Sequence, residues 1–378
     1  MPDALESYGV NPARRMVIAG GGTGGHLFPG IAVAQAFLAR NLDNQVLFVN
    51  AGRPLEVSVL NRLGWPFKTI PIEGLKGRGI WHQLKAAVKI PWAVWRSARI
   101  MRFYSPHAVL GVGGYSAGPV VLAAWIMRIP TALHEQNRLP GLTNRLLHRL
   151  VDRIYLTFDD PARRFAAHKT RVTGNPVRDE FIMLEAQARD ANGFSLLILG
   201  GSQGAHAINQ AMVEAAPRMA RLPGLQVVHQ TGREDAAYVA EAYRAAGLAA
   251  SVEPFFNDMA ERYRRADLIV CRAGATTVAE ITVVGRAAIF VPFPFAADDH
   301  QTRNAQALVD AGAARMIRQS ELNGALLADA IEACMRDRVQ LNEMAARALG
   351  LGRPEAALTI VRDICELINA PMGQRTNG

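Results

Sequence analysis

Residues 16–30 read MVIAGGGTGGHLFPG, and this stretch decides the fold class. An apolar run typical of a buried strand is followed by five glycines and a histidine, and then by a helical pattern. Glycine has no Cβ, so the chain can approach a ligand closely, and the N-terminus of the helix adds partial positive charge. The turn therefore predicts a site for a phosphate or a diphosphate.

The second half of the chain opens in the same way. Residues 194–212, FSLLILGGSQGAHAINQAM, again give an apolar strand, a glycine-rich turn and a helix. Elsewhere short β-rich runs alternate with helical patterns, which is typical of a parallel sheet covered by helices on both faces. The alternation pauses at residues 173–181, TGNPVRDEF. We therefore predict an α/β protein with two Rossmann-like, doubly wound parallel-sheet domains in tandem.

The composition is that of an ordinary soluble globular protein, half hydrophobic and one-fifth charged. The formal net charge of +9 suits an anionic partner, such as nucleic acid, a phosphorylated metabolite or an acidic membrane surface, and does not choose among them. The first 15 residues lack the apolar core of a signal peptide, and the apolar stretch at 120–127 is too short to span a bilayer. Three widely spaced cysteines indicate neither a disulfide framework nor a zinc site. We expect a soluble or peripheral protein of the cytoplasm.

Two enzyme classes other than transferases fit parts of the pattern. Gly20, Gly22 and Gly25 satisfy the dinucleotide-binding spacing, but the second strand ends at Asn50, where a ribose-binding Asp or Glu is expected. Residues 200–204 also match the G-x-S-x-G elbow of hydrolases, with Ser202 as nucleophile. The partners Asp298 and His300 would then lie on one loop, which makes alignment with Ser202 difficult. A third interpretation is that the glycines serve only close packing of strand and helix.

Seven motifs in order resemble the MurG family of UDP-N-acetylglucosamine:lipid I N-acetylglucosaminyltransferases. They are GGGTGGHLFPG, GVGGYSAGP, HEQN, TGNPVR, GGSQGA, CRAGATTVAE and DDHQTRNA. The resemblance implies a GT-B fold, in which residues 14–176 form an acceptor- and membrane-binding domain and residues 177–354 form a UDP-GlcNAc-binding domain. The helix at 355–370 is expected to cross back to the first domain. The implied partners are UDP-GlcNAc, lipid I and an anionic membrane surface, with no nucleic acid and no cofactor.

The resemblance also assigns residues to the donor. Arg178 and the Phe255–Phe256 pair match positions that frame the uracil, and Glu280 matches the carboxylate that accepts from both ribose hydroxyls. A carboxylate can accept two such bonds, which selects a ribonucleotide. The remaining donor positions lie in the glycine-rich turns and the polar loops: Thr23, Gly24, Gly25, Asn137, Ser202, Thr277 and Gln301.

On the acceptor side the first turn resembles the family's proposed site for the lipid I diphosphate. The implied acceptor-binding residues are Gly22, Thr23, Gly24, His26, Gly114 and Tyr115. Two positions depart from many relatives: Ala117 stands where serine is common, and His300 where glutamine is common. Both departures leave the acceptor contacts less defined than the donor contacts.

The predicted reaction is a single in-line displacement that inverts the α-linked donor to a β-1,4 product. A neutral imidazole is suited to take the proton of the attacking hydroxyl near neutral pH, and His26 is the candidate base. His26 could instead bind the acceptor diphosphate, and His134 and Glu135 are weaker candidates for the base. Helix N-termini can stabilise the leaving UDP, and the donor half has no D-x-D motif, so we expect no essential metal.

A membrane face is predicted at residues 80–103, IWHQLKAAVKIPWAVWRSARIMRF. Its aromatic and apolar face and its cationic stripe are formed by Trp81, Leu84, Lys85, Val88, Lys89, Trp92, Trp95 and Arg96. Tryptophans beside cations are typical of helices that enter anionic headgroups. The alternative is a helix whose apolar face packs on its own sheet. With a lipid-linked acceptor we predict peripheral attachment at the cytoplasmic face of the inner membrane.

Other functions within this architecture stay open from the sequence. They are a related GT-B transferase that uses another sugar nucleotide or acceptor, and a non-catalytic sugar-nucleotide sensor or membrane-recruited scaffold. His26 beside a second phosphate site is the main argument for an enzyme.

Overall fold

The computed structural model describes residues 12–72, 80–159, 164–183, 193–201 and 204–371, and it gives no side-chain description for residues 80–88 and 297. The strands are Arg15–Ala19 (β1), Gln45–Asn50 (β2), Phe67–Thr69 (β3), Ala108–Gly111 (β4), Thr131–Glu135 (β5), Arg153–Leu156 (β6), Thr170–Val172 (β7), Phe194–Leu199 (β8), Leu225–Gln230 (β9), Ala250–Glu253 (β10), Leu268–Cys271 (β11), Ala287–Phe290 (β12) and Arg315–Met316 (β13).

The helices alternate with these strands. They are Gly24–Arg40 (α1), Pro54–Arg62 (α2), Ile80–Tyr104 (α3), Ala117–Ile126 (α4), Leu142–Leu147 (α5), Asp179–Ile182 (α6), His206–Met219 (α7), Ala236–Ala246 (α8), Met259–Arg265 (α9), Ala275–Val284 (α10), His300–Asp310 (α11), Gly324–Arg336 (α12), Arg338–Leu351 (α13) and Ala356–Asn369 (α14). Two short 3-10 helices lie at Ala167–Lys169 and Ala297–Asp299.

The strands form two parallel sheets. The first has the order β3-β2-β1-β4-β5-β6-β7 and the second the order β10-β9-β8-β11-β12-β13. Apolar side chains are buried on both faces of each sheet, because every central strand is covered by helices on both sides. The predicted α/β class with two doubly wound parallel sheets is confirmed.

In each sheet the first strand in sequence lies at the point where the winding reverses direction. β1 pairs with β2 on one side and with β4 on the other, and β8 lies in the same way between β9 and β11. The loops that follow such strands diverge to opposite faces of the sheet and leave a crevice at the carboxyl ends. Both glycine-rich turns lie at these switch points, so topology alone makes them binding crevices.

The chain crosses between the two sheets twice. It passes from β7 to α6 around Gly174, and it returns after α13 to α14, whose apolar face packs on α1 in the core of the first sheet. Polar contacts also hold α14, since the Tyr155 hydroxyl donates to Asp363 Oδ2 at 2.7 Å and Arg153 Nε lies 3.3 Å from the same oxygen. The crossings touch each other: a Cβ on Gly174, whose φ is +85°, would lie 2.5 Å from Arg353 Cβ.

Candidate functional site

The first glycine-rich turn is shaped by the close approach of the loops after β1 and β4. Gly20 has a φ of +130°, its amide donates to Val49 O at 3.1 Å, and a Cβ on it would lie 2.3 Å from Gly113 O. Any other residue would meet backbone there and would also occupy a region that L side chains rarely adopt. The packing of the two loops therefore requires glycine at this position.

The turn is held from outside by Arg53 and Glu56 of the β2–α2 connection. The Gly22 amide donates to Glu56, the Arg53 amide donates to the other Glu56 oxygen at 2.7 Å, and Arg53 Nη1 donates to Gly22 O at 3.1 Å. Gly22 thus has its amide engaged. The amides of Gly24 and Gly25 lie in the first turn of α1 and have no acceptor among the described residues. Free amides at a helix N-terminus are able to bind an anion.

His26 lies in this first turn and is partly exposed. Its Nδ1 is 3.1 Å from Oε1 of Gln136, whose Nε2 donates to Val112 O at 2.7 Å and lies 3.0 Å from His134 Nδ1. The surrounding protein desolvates the His26 ring and lowers its pKa, while the charge of Glu135 and the bond to Gln136 act in the opposite direction. A histidine with a lowered pKa is neutral at physiological pH, which is the form that accepts a proton.

The weaker base candidates have other partners. His134 is fully buried, and its burial lowers its pKa to about 4. The buried Glu135 carboxylate accepts from the amides of Asn137 and Gly141 at 3.0 and 2.9 Å and from Asn144 Nδ2 at 2.7 Å. These three hydrogen bonds hold the loop after β5 in place, so the role of Glu135 here is to stabilise that loop. Its charge also raises the pKa of His26.

Contacts across the two sheets meet at the start of α1. Thr276 Oγ1, in the first turn of α10, donates to Gly25 O at 3.2 Å, so the N-termini of α1 and α10 face each other. Asn304 of α11 is buried between the halves, where its Nδ2 lies 3.3 Å from Asn137 Oδ1 and its Oδ1 accepts from the Arg138 amide at 3.3 Å. The crevices of the two sheets thus open toward one another and form one cleft.

The donor half of the cleft contains a buried carboxylate with two long hydrogen bonds. Glu280 Oε1 accepts from Arg178 Nη2 and Oε2 accepts from the Tyr263 hydroxyl, each at 3.3 Å. Burial raises the pKa of Glu280, and these two partners lower it. Both distances exceed the 2.7–2.9 Å usual for charge-assisted bonds, so the carboxylate keeps capacity to accept from a ligand.

Arg178 connects this carboxylate to the acceptor half. Its guanidinium carbon lies 4.4 Å from the ring centroid of Phe28 in α1 and 4.9 Å from that of Phe181, and Nη1 is 2.8 Å from Glu180 Oε1. Arg178 Nε is buried and has no partner among the described atoms. The Arg178 guanidinium therefore lies where the two halves meet, and its Nε–H is available to donate a hydrogen bond.

The two phenylalanines predicted to frame a base differ in exposure. Phe256 is 2% exposed, under Arg262 and in the core of the second sheet, and its amide donates to Gln230 Oε1 at 3.0 Å. Phe255 is 42% exposed. A flat ligand could therefore stack only on Phe255, while Phe256 can offer main-chain atoms.

Other predicted donor residues line the same region. Gln301 of α11 accepts from the Phe293 amide through Oε1 at 2.9 Å, and Thr277 is partly exposed in the first turn of α10. The second glycine-rich turn is closed by Gly204, whose amide donates to Gly201 O at 3.2 Å, and Gln230 Nε2 donates to the same carbonyl at 3.1 Å. Ser202 lies outside the described residues.

The predicted acceptor residues after β4 adjoin the first turn. Gly114 has a φ of +79°, its carbonyl accepts from Thr143 Oγ1 at 3.3 Å, and a Cβ on it would lie 2.5 Å from Gly21 O. Tyr115 is partly exposed beside it, and Ala117 is buried. His300 is near enough to His26 to lower its pKa, and Asp298 lies 3.6 Å from Arg145 across the cleft. Among the described residues no group of three metal-ligating side chains is found.

Helix α3 presents an aromatic and cationic face to solvent. Trp92 is 49% and Trp95 57% exposed, and Arg96 and Arg99 lie 5.4 and 5.8 Å above their rings. The buried side of this part of the helix is formed by Ala93, Ser97 and Met101, so the tryptophans do not pack into the sheet.

A groove of about 690 Å³ runs between this face and the edge of β2 and β3, where Leu47, Pro66 and Lys68 complete its walls. Lys89 is also exposed, but the side chains of Trp81, Leu84, Lys85 and Val88 lie outside the described residues. No helix within the described part of the chain is long and apolar enough to cross a bilayer.

Several site residues were not singled out from the sequence. Gln136 and Asn304 lie inside the quoted motifs HEQN and DDHQTRNA, so a motif position was the available signal. Phe28 likewise lies inside GGGTGGHLFPG, whereas Glu56 and Gln230 act through contacts between distant segments and no local pattern marks them.

Comparison with known proteins agrees with this architecture. The glycosyltransferase family 28 N-terminal domain matches residues 16–156, and the glycosyltransferase family 28 C-terminal domain matches residues 195–360. The chain is 50% identical over 356 residues to a protein of Syntrophus aciditrophicus named UDP-N-acetylglucosamine–N-acetylmuramyl-(pentapeptide) pyrophosphoryl-undecaprenol N-acetylglucosamine transferase, covering 93% of this chain and 98% of that protein. A protein of the same name from Myxococcus xanthus is 46% identical over 353 residues, with 93% and 92% covered.

Solved structures show the same fold. MurG of Acinetobacter baumannii matches with a TM-score of 0.75 at 34% identity, covering 93% of this chain and 99% of that one. UDP-GlcNAc 2-epimerase of Neisseria meningitidis, bound to UDP-GlcNAc, matches with a TM-score of 0.65 at 14% identity, a likeness of fold alone. The predicted GT-B architecture is thus confirmed.

Proposed function

This chain belongs to glycosyltransferase family 28, among the MurG transferases, and from that premise we propose that it transfers GlcNAc from UDP-GlcNAc to the 4-hydroxyl of MurNAc in lipid I. The product is lipid II, the building block of peptidoglycan. The observation that supports this most directly is the meeting of the α1 and α10 N-termini at the Thr276–Gly25 bond, with His26 beside it. Two anions and one base can be gathered there.

The acceptor diphosphate would be bound at the start of α1. The amides of Gly24 and Gly25 have no described protein acceptor, and the helix dipole favours an anion at this end. Thr23 precedes them, and Gly114 and Tyr115 lie on the adjoining loop. In this arrangement the MurNAc 4-hydroxyl would lie next to the His26 ring.

The donor would occupy the second half of the cleft. Glu280 would accept from the two ribose hydroxyls, Arg178 would interact with the nucleotide, and Phe255 with the main chain of Phe256 would frame the uracil. Asn137 and Gln301 would read the hydroxyls of the GlcNAc. The diphosphate would lie at the second glycine-rich turn, with Ser202, and at the start of α10, with Thr277.

The reaction is a single displacement. The 4-hydroxyl oxygen attacks the anomeric carbon, the bond from that carbon to the UDP oxygen breaks, and the hydroxyl proton passes to His26. Attack from the face opposite the leaving group gives the β-1,4 link. Negative charge then grows on UDP, where the oriented amides at the helix N-termini stabilise it without reorganisation.

Attachment to the membrane would use the exposed face of α3. Trp92 and Trp95 present apolar surface, and Arg96 and Arg99 present charge to anionic headgroups. Lipid I keeps its tail in the bilayer, so a catalyst held at the cytoplasmic leaflet meets its acceptor by lateral diffusion.

The test is a transfer assay with radiolabelled UDP-GlcNAc and a lipid I analogue. Formation of a β-1,4-linked disaccharide on the lipid supports the proposal. Tight UDP binding without transfer, under conditions where the Acinetobacter baumannii protein is active, would contradict it and indicate a sugar-nucleotide sensor.

A further inference from the structure

We propose that Gln136 is a positioning residue that holds His26 in the Nδ1–H tautomer, so that Nε2 carries the lone pair that receives the acceptor proton. The inference rests on the proposed function for the use of that lone pair. The tautomer itself follows from hydrogen-bond donors and acceptors and can be tested without catalysis.

The orientation of the Gln136 amide is set by the backbone. Val112 O, 2.7 Å away, can only accept, so the amide nitrogen must face it and the amide oxygen must face the other way. The second proton of that nitrogen points to His134 Nδ1 at 3.0 Å. Both protons are therefore used, and Oε1 is left toward His26.

The tautomer of His26 follows from this orientation. Oε1 can only accept, and it lies 3.1 Å from His26 Nδ1, so Nδ1 must carry the proton. Nε2 is then unprotonated, and it has no partner among the described residues. His26 is partly exposed at the cleft, so this lone pair is available to a substrate hydroxyl.

The other end of the network fixes its direction. His134 Nδ1 accepts from Gln136, so His134 must be protonated at Nε2, which lies 3.4 Å from Gly174 O. A charged His134 would place a donor against the Gln136 nitrogen and oppose this arrangement. Burial lowers the pKa of His134 to about 4, which keeps it neutral in the physiological range.

The charged and titratable groups that face His26 come from two elements, β5 and α11. Glu135 of β5 raises its pKa and His300 of α11 lowers it, while His26 itself contributes to the lowered pKa of His134 of β5. None of these three hydrogen-bonds to the His26 ring in the described structure. The groups that do are Gln136 Oε1, 3.1 Å from Nδ1, and the backbone at Val112, and both hydrogen bonds raise the pKa of His26. A purely structural role for Gln136 would leave the ring free to exchange tautomers.

The test uses Gln136→Met, which is similar in shape but has no acceptor, and Gln136→Glu, which keeps an acceptor in either protonation state. Nitrogen-15 NMR of labelled histidine reads which ring nitrogen is protonated, and a His26→Gln spectrum assigns the signal. We expect Nδ1–H in the wild type and in Gln136→Glu, and a shift toward Nε2–H in Gln136→Met. The kcat of Gln136→Met should fall about 5- to 30-fold with KM for UDP-GlcNAc unchanged, as expected for loss of one hydrogen bond.

The pH profile separates positioning from general damage. Loss of the bond to Gln136 lowers the pKa of His26 further, so the acidic limb of kcat should move to lower pH in Gln136→Met. UDP affinity and the melting temperature report whether each variant is folded. An unprotonated Nδ1 in the wild type, or an unchanged tautomer in folded Gln136→Met, overturns the inference. Full transfer by His26→Gln would instead overturn the base assignment and leave the tautomer result standing.

Discussion

Replacing Glu280 by Gln should weaken UDP binding about 10- to 100-fold. The carboxylate is buried, and its two oxygens each have one partner at 3.3 Å, Arg178 and Tyr263. In the proposed complex it also accepts from two ribose hydroxyls. A glutamine can accept at only one end, so at least one charge-assisted bond, worth about 1.5–3 kcal/mol, is lost. About 1.4 kcal/mol is a tenfold change in Kd, which gives the range.

Isothermal titration calorimetry with UDP measures this change directly. Glu180→Gln is the matched control, because Glu180 also pairs with Arg178, at 2.8 Å, but its side chain is 49% exposed. An exposed pair contributes little, so UDP affinity in the control should change by less than about threefold.

A second ligand identifies the contact itself. UDP that lacks the ribose 2′-hydroxyl should bind Glu280→Gln with a smaller relative loss than UDP does, because part of the interaction is already missing. Wild-type affinity for UDP in a folded Glu280→Gln protein would refute the assignment of Glu280 to the ribose.

Three further outcomes test other parts of the molecule. His26→Ala should lower kcat about 100-fold or more while UDP affinity is retained, and full activity in this variant would exclude the base role. The acidic limb of the wild-type kcat profile should lie below pH 6.5, because the pKa of His26 is lowered and only the neutral ring accepts a proton. Replacing both Trp92 and Trp95 by Ser should weaken binding to anionic vesicles about 10- to 100-fold in sedimentation assays without changing UDP binding. The control Tyr238→Ser, at a side chain equally exposed on α8, should leave vesicle binding unchanged. Equal effects of the two changes on vesicle binding would refute the membrane face. Gly20→Ala should lower the free energy of unfolding by about 2–4 kcal/mol in denaturant titrations, because its Cβ would meet Gly113 O. The control Gly64→Ala, also at positive φ but in open space, should lower it by about 1 kcal/mol. Similar losses of stability in the two variants would contradict the packing role of Gly20.

The fold could be predicted because its signals are local. The turn at 20–25 follows a strand and opens a helix within a few residues, and the turn at 200–204 repeats the pattern. Because consecutive parallel strands with helices between them must wind on both sides of a sheet, the switch points follow from chain order. No long-range contact has to be known for either step.

Parts of the site depend on contacts that no local pattern records. The sequence of the Phe255–Phe256 pair, which the resemblance assigns to the donor, cannot tell which ring faces inward, and the structure buries Phe256 and exposes Phe255. Glu56 meets the Gly22 amide only because the β2–α2 connection folds beside the first turn. Gln136 likewise gains its partners from α1, the loop after β4 and β5 together, so its role is visible only in three dimensions.

The return of α14 to the first sheet has a consequence for synthesis on the ribosome. Ile360, Val361 and Ile364 complete a core whose other members begin at Met16, so the N-terminal half cannot bury its apolar surface until nearly the whole chain has been made. A fragment that stops near residue 176 would expose that surface and should aggregate or recruit chaperones, whereas supplying residues 355–370 as a separate peptide should restore its solubility. The half of the protein that is synthesised first therefore completes its fold last, when α14 packs onto it.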